Sequence, residues 1–292
     1  MACYYPIRAW QLESGDIVFK EAGKVKRSLS LPCGKCIGCR VRRSEGWATR
    51  CMHEAMMHPV SSFVTLTYDP HHYKPSLDYR DFQLFMKRLR KTKVGTPIRF
   101  FAAGEYGDSD SRPHFHALLF GAGFSNDGMV GKQIYRSAEL ERLWSVGFSS
   151  VGEVNRTTAS YVAKYVIDKK SPSYDPDYYK RVDLKSGEIV DVTPEFGRMS
   201  NRPGIGATWF DKYWTDVYAA RDGVVVDGKT LRPPRYYDER LAKLPNFVSD
   251  IKEYDRYIQS LKYDPNESSP ERLAVREAVE LARVDFYRKN KL

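Results

Sequence analysis

The sequence predicts an α+β fold, an antiparallel sheet with flanking helices. Two observations lead there: short β-branched and aromatic runs bounded by turn residues, and segments of helical periodicity lying between them. A third is their order over residues 58–170, β-α-β-β-α-β-α, which matches a split-βαβ unit with helices packed on an antiparallel sheet.

The elements follow in order. "SSFVTLTYDP" (61–70) is β-branched and aromatic and is stopped by Asp69-Pro70, so it reads as a strand. In "DYRDFQLFMKRLRK", Phe82, Phe85, Met86 and Leu89 stand at i, i+3, i+4 and i+7, one apolar stripe of a helix. "IRFFAAGEYG" (98–107) and "PHFHALLFG" (113–121) are two strands joined by the turn-rich "DSDSR", hence antiparallel. A short helix around Ala138 to Trp144 leads to a fourth strand, "GFSSVGEV" (147–154). Asn155 to Thr158 then supply a cap for a helix holding "SYVAKYVIDKK".

Two extensions flank this core. Residues 1–57 form a Cys-rich, basic N-terminal extension, and residues 171–292 a polar, proline-dotted C-terminal one. Within the latter, "YYDERLAKLPNFVSDIKEYDRYIQSLKYDP" reads as helical and amphipathic, suited to packing on the core or binding a partner.

Lys plus Arg outnumber Asp plus Glu by 47 to 37 in 292 residues, a formal net charge of +10 that favours a polyanionic partner, nucleic acid first. No stretch approaches about 18 uninterrupted apolar residues and no secretory signal opens the chain, so a soluble intracellular protein without membrane association is expected. Five cysteines, three of them in "CGKCIGC", fit a reducing compartment and metal binding better than a disulfide framework. Cys33, Cys36 and Cys39 with Cys51 would complete a four-thiolate zinc site; Cys3 and His53 are alternative fourth ligands, and an iron–sulfur cluster is the less favoured occupant. Arg40, Arg42 and Arg43 beside this cluster, and Lys87 and Arg88 on the first helix of the core, are candidate DNA phosphate contacts.

At about 100° per residue, Tyr161, Lys164, Tyr165 and Asp168 share one side of their helix, and Ala159, Val162, Ala163 and Val166 the other. The small apolar side is the one suited to the core, which leaves the tyrosine pair for another use. A tyrosine hydroxyl, with an ordinary pKa of about 10, needs an activated electrophile or a stabilising charge, and Lys164 is placed to supply the latter. Strand alternation puts His114 and His116 on one face, and a hairpin brings Glu105 beside them. Two imidazoles and a carboxylate leave positions open on a metal, as Lewis-acid catalysis at phosphorus requires.

"FVTLTY" (63–68), "HFH" (114–116) and "YVAKY" (161–165), in that order, resemble the three motifs of HUH endonucleases that initiate rolling-circle replication. The tyrosine pair is similar to that of the microvirus branch, and "PCGKCIGCR" with "CMHEAMMH" makes the gokushovirus (Microviridae) initiators the nearest match. The resemblance implies an HUH core, split-βαβ and RRM-like. It implies Mg²⁺ or Mn²⁺ on His114, His116 and Glu105, with Glu153 as the alternative carboxylate. Tyr161 and Tyr165 would be nucleophiles, and Lys164 would steady the scissile phosphate. The implied activity is site-specific nicking and joining through a 5′-phosphotyrosine, on single-stranded or supercoiled phage DNA at the replication origin. A plasmid initiator or transposase of the same chemistry, and a non-catalytic nucleic-acid-binding module, are the alternatives. No G-x4-G-K-[ST] motif occurs, so unwinding is expected of a host helicase and extension of a host DNA polymerase, in the cytoplasm of the bacterial host.

Overall fold

Strict alternation of inward and outward side chains along Ser61–Tyr68 is the local feature from which the central sheet is built. In the computed structural model, which describes residues 3–107, 111–167, 177–245, 248–262 and 264–289, the chain divides into two compact units. One comprises Met1–Arg43 with Ser249–Leu292, the other Ser44–Val248.

The first unit opens with an antiparallel meander, β1 (Ile7–Leu12), β2 (Ile17–Val18) and β3 (Val25–Leu31), in spatial order β2-β1-β3. Helix α1 (Ile37–Ala55) begins in this unit and ends in the second.

The second unit runs β4 (Ser61–Tyr68), α2 (Tyr79–Thr92), β5 (Arg99–Tyr106), β6 (Pro113–Phe120), β7 (Gly128–Met129), β8 (Ile134–Arg136), α3 (Ala138–Leu143), β9 (Gly147–Gly152) and α4 (Arg156–Ile167). A small hairpin, β10 (Lys180–Val182) with β11 (Ile189–Asp191), precedes β12 (Phe196–Met199). Seven strands form one sheet in the order β12-β5-β6-β4-β9-β8-β7. Its pairings are antiparallel. Because β4 and β5 each run antiparallel to β6 between them, they are parallel to one another, and α2 is the crossover. This is the split-βαβ order expected from the sequence. Beyond it, β12 brings residues after 170 into the same sheet.

The sheet is covered on both faces. Val64, Leu66 and Tyr68 of β4 and Phe115, Ala117 and Leu119 of β6 meet Phe82, Phe85, Met86 and Leu89 of α2, with Leu140 and Trp144 at α3. The apolar stripe read from α2 is therefore the buried one, and each fully buried Phe or Leu contributes roughly 2–3 kcal/mol of burial free energy. On the other face Phe101 and Ala103 of β5 and Leu118 and Phe120 of β6 pack against Ala159, Val162 and Ala163 of α4 and Ala48 and Cys51 of α1.

α5 (Ala207–Thr215), a π-helical segment Asp216–Arg221, the hairpin β13 (Val224–Val226) with β14 (Lys229–Leu231), and α6 (Arg235–Leu241) follow, around Phe210, Tyr218 and Tyr237. The C-terminal helices α7 (Val248–Leu261) and α8 (Pro270–Lys289) belong almost wholly to the first unit, where the Tyr5 hydroxyl donates to Glu277 of α8 at 2.5 Å. Amphipathic as expected, α7 nonetheless buries no residue. Among the described residues no helix is long and apolar enough to cross a membrane.

Candidate active site

On β6 the side chains alternate, so Phe115 enters the α2 face while His114 and His116 leave on the α4 face. Register does the rest: Glu105 of β5 stands opposite His114, and Thr65 of β4 opposite His116. Glu105 Oε1 lies 2.8 Å from His114 Nε2 and 2.7 Å from His116 Nε2. Behind the rings, His114 Nδ1 donates to the Arg112 carbonyl at 3.0 Å, and His116 Nδ1 pairs with Thr65 Oγ1 at 2.9 Å. Phe63 stacks on His116 with ring centroids 5.6 Å apart.

Above this trio stands Tyr161. Its hydroxyl donates to Glu105 Oε1 at 3.3 Å and lies 3.4 Å from His116 Nε2. Its ring meets His116 edge-on at 4.9 Å. The helix carrying it starts at a reciprocal cap, in which Thr158 N–H donates to Asn155 Oδ1 and Asn155 N–H to Thr158 Oγ1, each at 3.0 Å. Lys164 is half-buried one turn further along α4. Tyr165 lies on the same helix, but its side chain falls outside the described residues.

Burial works against ionisation of Glu105, yet the hydrogen bonds and charge of His114 and His116 outweigh it and hold the carboxyl below its ordinary range. Glu105 Oε2 is buried without a hydrogen-bond partner. With its proton on Nδ1, a neutral imidazole turns a lone pair on Nε2 towards the carboxylate. Two such nitrogens and an ionised oxygen crowd together unless a cation or extra protons lie among them. The donor set, two N and one O whose rings are held from behind, therefore fits a divalent metal, and Glu105, His114 and His116 are the residues that could hold it. Glu153, the alternative carboxylate, is exposed after β9 and is not among the convergent donors.

Other predicted residues fall elsewhere. Lys87 and Arg88 ride on α2, which covers the sheet face opposite the histidines. Lys87 is exposed, whereas Arg88 Nε donates to the Leu143 carbonyl at 2.8 Å and ties α2 to α3. Arg42 and Arg43 are exposed on the first turns of α1, Arg43 donating to the Gly34 carbonyl at 3.3 Å, and Arg40 is half-buried.

The fourth thiol differs from the one expected. Cys3, Cys33, Cys36 and Cys39 have their sulfurs within 4.8 Å of one another. Cys51 is not among them: twelve residues after Cys39 on the same helix, it stands about 18 Å further along. There it is fully buried against the sheet, and burial raises its thiol pKa. Within the cluster, burial opposes ionisation of Cys33, but backbone N–H groups of Cys36 and Lys35 bring it down to about 7. Burial pushes Cys39 up to about 12 and also raises Cys3.

Thr65, Phe63 and the Arg112 carbonyl are site components that the sequence does not announce. Only the β4–β6 register, a long-range pairing, reveals them.

A family model for replication-associated protein ORF2 matches residues 61–171, the span that holds the convergent donors and Tyr161. The replication-associated protein VP4 of Bdellovibrio phage phiMH2K is 34% identical over 276 residues, covering 89% of this chain and 82% of the relative. The replication-associated protein ORF2 of Spiroplasma virus 4 is 30% identical, covering 83% and 81%. The replication-associated protein ORF4 of Chlamydia phage 1 is 30% identical, covering 80% and 59%. No solved structure matches the chain.

Proposed function

This chain belongs to the family of phage replication-associated proteins, and from that membership we propose that it is a metal-dependent, site-specific single-strand DNA endonuclease and strand transferase of the HUH type. It would initiate and terminate rolling-circle replication at the phage origin through a 5′-phosphotyrosine. The observation that carries the reading is the Tyr161 hydroxyl within 3.4 Å of both Glu105 and His116.

Mg²⁺ or Mn²⁺ held by Glu105, His114 and His116 would supply Lewis acidity, drawing charge from the scissile phosphate. Glu105 Oε1, accepting from the tyrosine, keeps the hydroxyl aimed at that centre. The Tyr161 oxygen bonds to phosphorus as the bond from phosphorus to the 3′ oxygen breaks. The departing oxygen takes up a proton and remains as a 3′ hydroxyl for host polymerase to extend, with a host helicase unwinding ahead. The 5′ phosphate stays on the tyrosine as an ester, so the bond energy is kept and a later 3′ hydroxyl reseals the strand without ATP. Lys164 would balance phosphate charge. Tyr165, about 6 Å further along the helix axis, would be the second nucleophile when Tyr161 is esterified. The setting is the cytoplasm of the bacterial host, on single-stranded or supercoiled phage DNA.

The test incubates the chain with single-stranded circular or supercoiled phage DNA bearing the origin and Mn²⁺ or Mg²⁺, then looks for protein-linked DNA on a denaturing gel. An adduct lost with EDTA, with His116→Ala and with Tyr161→Phe/Tyr165→Phe together is expected. DNA binding with no adduct under any of these metals would leave a nucleic-acid-binding module instead.

A further inference from the structure

We propose that Cys3, Cys33, Cys36 and Cys39 bind one structural zinc ion as a four-thiolate site that pins the start of the chain to the first turn of α1. This site is separate from the proposed nicking centre and does not depend on it.

Sulfur spacing comes first. Cys33 and Cys39 sulfurs are 4.0 Å apart, as are those of Cys3 and Cys36, and all four fall within 4.8 Å. A tetrahedral zinc with Zn–S bonds of about 2.3 Å requires sulfur separations of about 3.8 Å. Disulfides, at about 2.05 Å, are not formed here, and all of these cysteines are free. An iron–sulfur cluster would place several irons and sulfides between its thiolates and needs them wider apart.

The backbone supplies a second, independent indication. Cys33 N–H donates to Cys3 Sγ at 3.2 Å, Tyr4 N–H to Cys36 Sγ at 3.4 Å, and Lys35 and Cys36 N–H to Cys33 Sγ at 3.4 and 3.3 Å. Amides aimed at sulfur stabilise thiolate charge, which four neutral thiols would not call for. Gly34, in the left-handed region at φ +75°, makes the turn that presents Lys35 and Cys36 to Cys33.

Apolar packing does not account for the burial. The buried group here consists of Cys3, Cys36 and Cys39 alone, with only Tyr4 and Cys33 against it. A patch so small excludes little water, whereas a zinc ion would hold the four strongly. Bound there, it closes the loop from Cys3 to Cys33 that contains β1, β2 and β3, a constraint worth most where the hydrophobic core is small.

The experiment measures zinc by mass spectrometry in the purified full chain, in His114→Ala/His116→Ala, in Cys3→Ser, in Cys39→Ser and in Cys51→Ala, with X-ray absorption at the zinc edge on the unmodified protein. About one zinc per chain is expected in the unmodified protein, in the histidine double variant and in Cys51→Ala, with a shell of four sulfurs at about 2.3 Å. Cys3→Ser and Cys39→Ser should lose most of it. Should those variants not fold, Co²⁺ exchanged into the unmodified chain decides, since four thiolates give intense charge-transfer absorption. The proposal falls if zinc survives Cys3→Ser, if Cys51→Ala removes it, if the absorption edge reports nitrogen or oxygen ligands, or if the unmodified chain takes up no zinc.

Discussion

Thr65→Val isolates the contribution of a residue that touches neither the proposed metal nor the tyrosine. Valine keeps the shape of threonine, so no cavity forms, but the 2.9 Å partner of His116 Nδ1 disappears. His116 is only 7% exposed, so water cannot readily replace the hydroxyl, and an unsatisfied buried N–H costs about 1–3 kcal/mol. The ring then turns to recover a partner, and Nε2 swings away from Glu105. Loss of such a supporting hydrogen bond weakens metal binding by about 10–100-fold. Adduct formation measured across a Mn²⁺ titration should show the half-saturating concentration rising at least about tenfold, with the saturated rate changed by no more than about threefold. Thr65→Ser should restore the original dependence. An unchanged Mn²⁺ requirement, or a fall in saturated rate without a shift in that requirement, would refute the idea that Thr65 orients His116.

Three further outcomes follow from the same packing. Glu54, 1% exposed, accepts from Gly206 N–H at 2.6 Å and pairs with Arg99 and His58. Burial opposes its ionisation, but these partners outweigh burial and depress its pKa, so its stabilisation is complete above the ordinary value of 4.5 and drains as pH falls through the lower folded value. Urea unfolding from about pH 3 to 7 should show Glu54→Gln less stable by about 3 kcal/mol at neutral pH and flatter on the acid side; an unchanged acid slope would contradict this. At Gly147 an added Cβ would sit 2.1 Å from the Thr67 carbonyl oxygen, whereas at Gly95 it meets open space. Gly147→Ala should therefore cost about 3 kcal/mol by overpacking, and thermal melts should place it well below Gly95→Ala, which has only its φ of +82° to strain it by about 1 kcal/mol. Arg88→Ala should lose about 1 kcal/mol of stability while oligonucleotide anisotropy stays within about twofold; a tenfold loss of affinity at unchanged stability would put α2 on the DNA surface.

Local periodicity makes most of the central sheet readable. The stripe Phe82, Phe85, Met86 and Leu89 and the alternation through Ser61–Tyr68 each report one element from its own residues, and the hairpin of β5 and β6 is short enough that Glu105 can be set beside His114 without knowing the fold. What stays hidden depends on distant pairings. Strand β12 has four residues and pairs with β5 across nearly a hundred positions. Lys87 and Arg88 look like phosphate contacts until α2 is assigned to the face away from His114 and His116. Cys51 looks like a ligand because its helix is hard to anticipate: α1 contains Gly38 and Gly46, and its C-x2-C-x2-C run suggests a loop. Once that stretch is helical, its rise separates Cys51 from Cys39, and Cys3, remote in sequence, closes the cluster.

The small residues of α4 link packing to chemistry. Ala159 and Ala163, with Val162, let the helix lie close on Phe101, Ala103, Leu118 and Phe120. Those four residues continue along β5 and β6 into Glu105 and into His116 and His114 on the same face. One pair of strands is therefore both the bed for the helix and the platform for the donors. Tyr161, set edge-on to His116 and to Phe63, cannot adjust independently of either. Regular elements hold nucleophile and donors alike, so the distance between hydroxyl and donors is a property of helix-on-sheet packing rather than of any loop. A larger side chain at Ala159 or Ala163 would lift the helix and carry the tyrosine off its target, and a misplacement of about 1 Å lowers such a reaction by about 100-fold. The apolar half of α4 is in this sense as much a part of the site as the tyrosine on its other side.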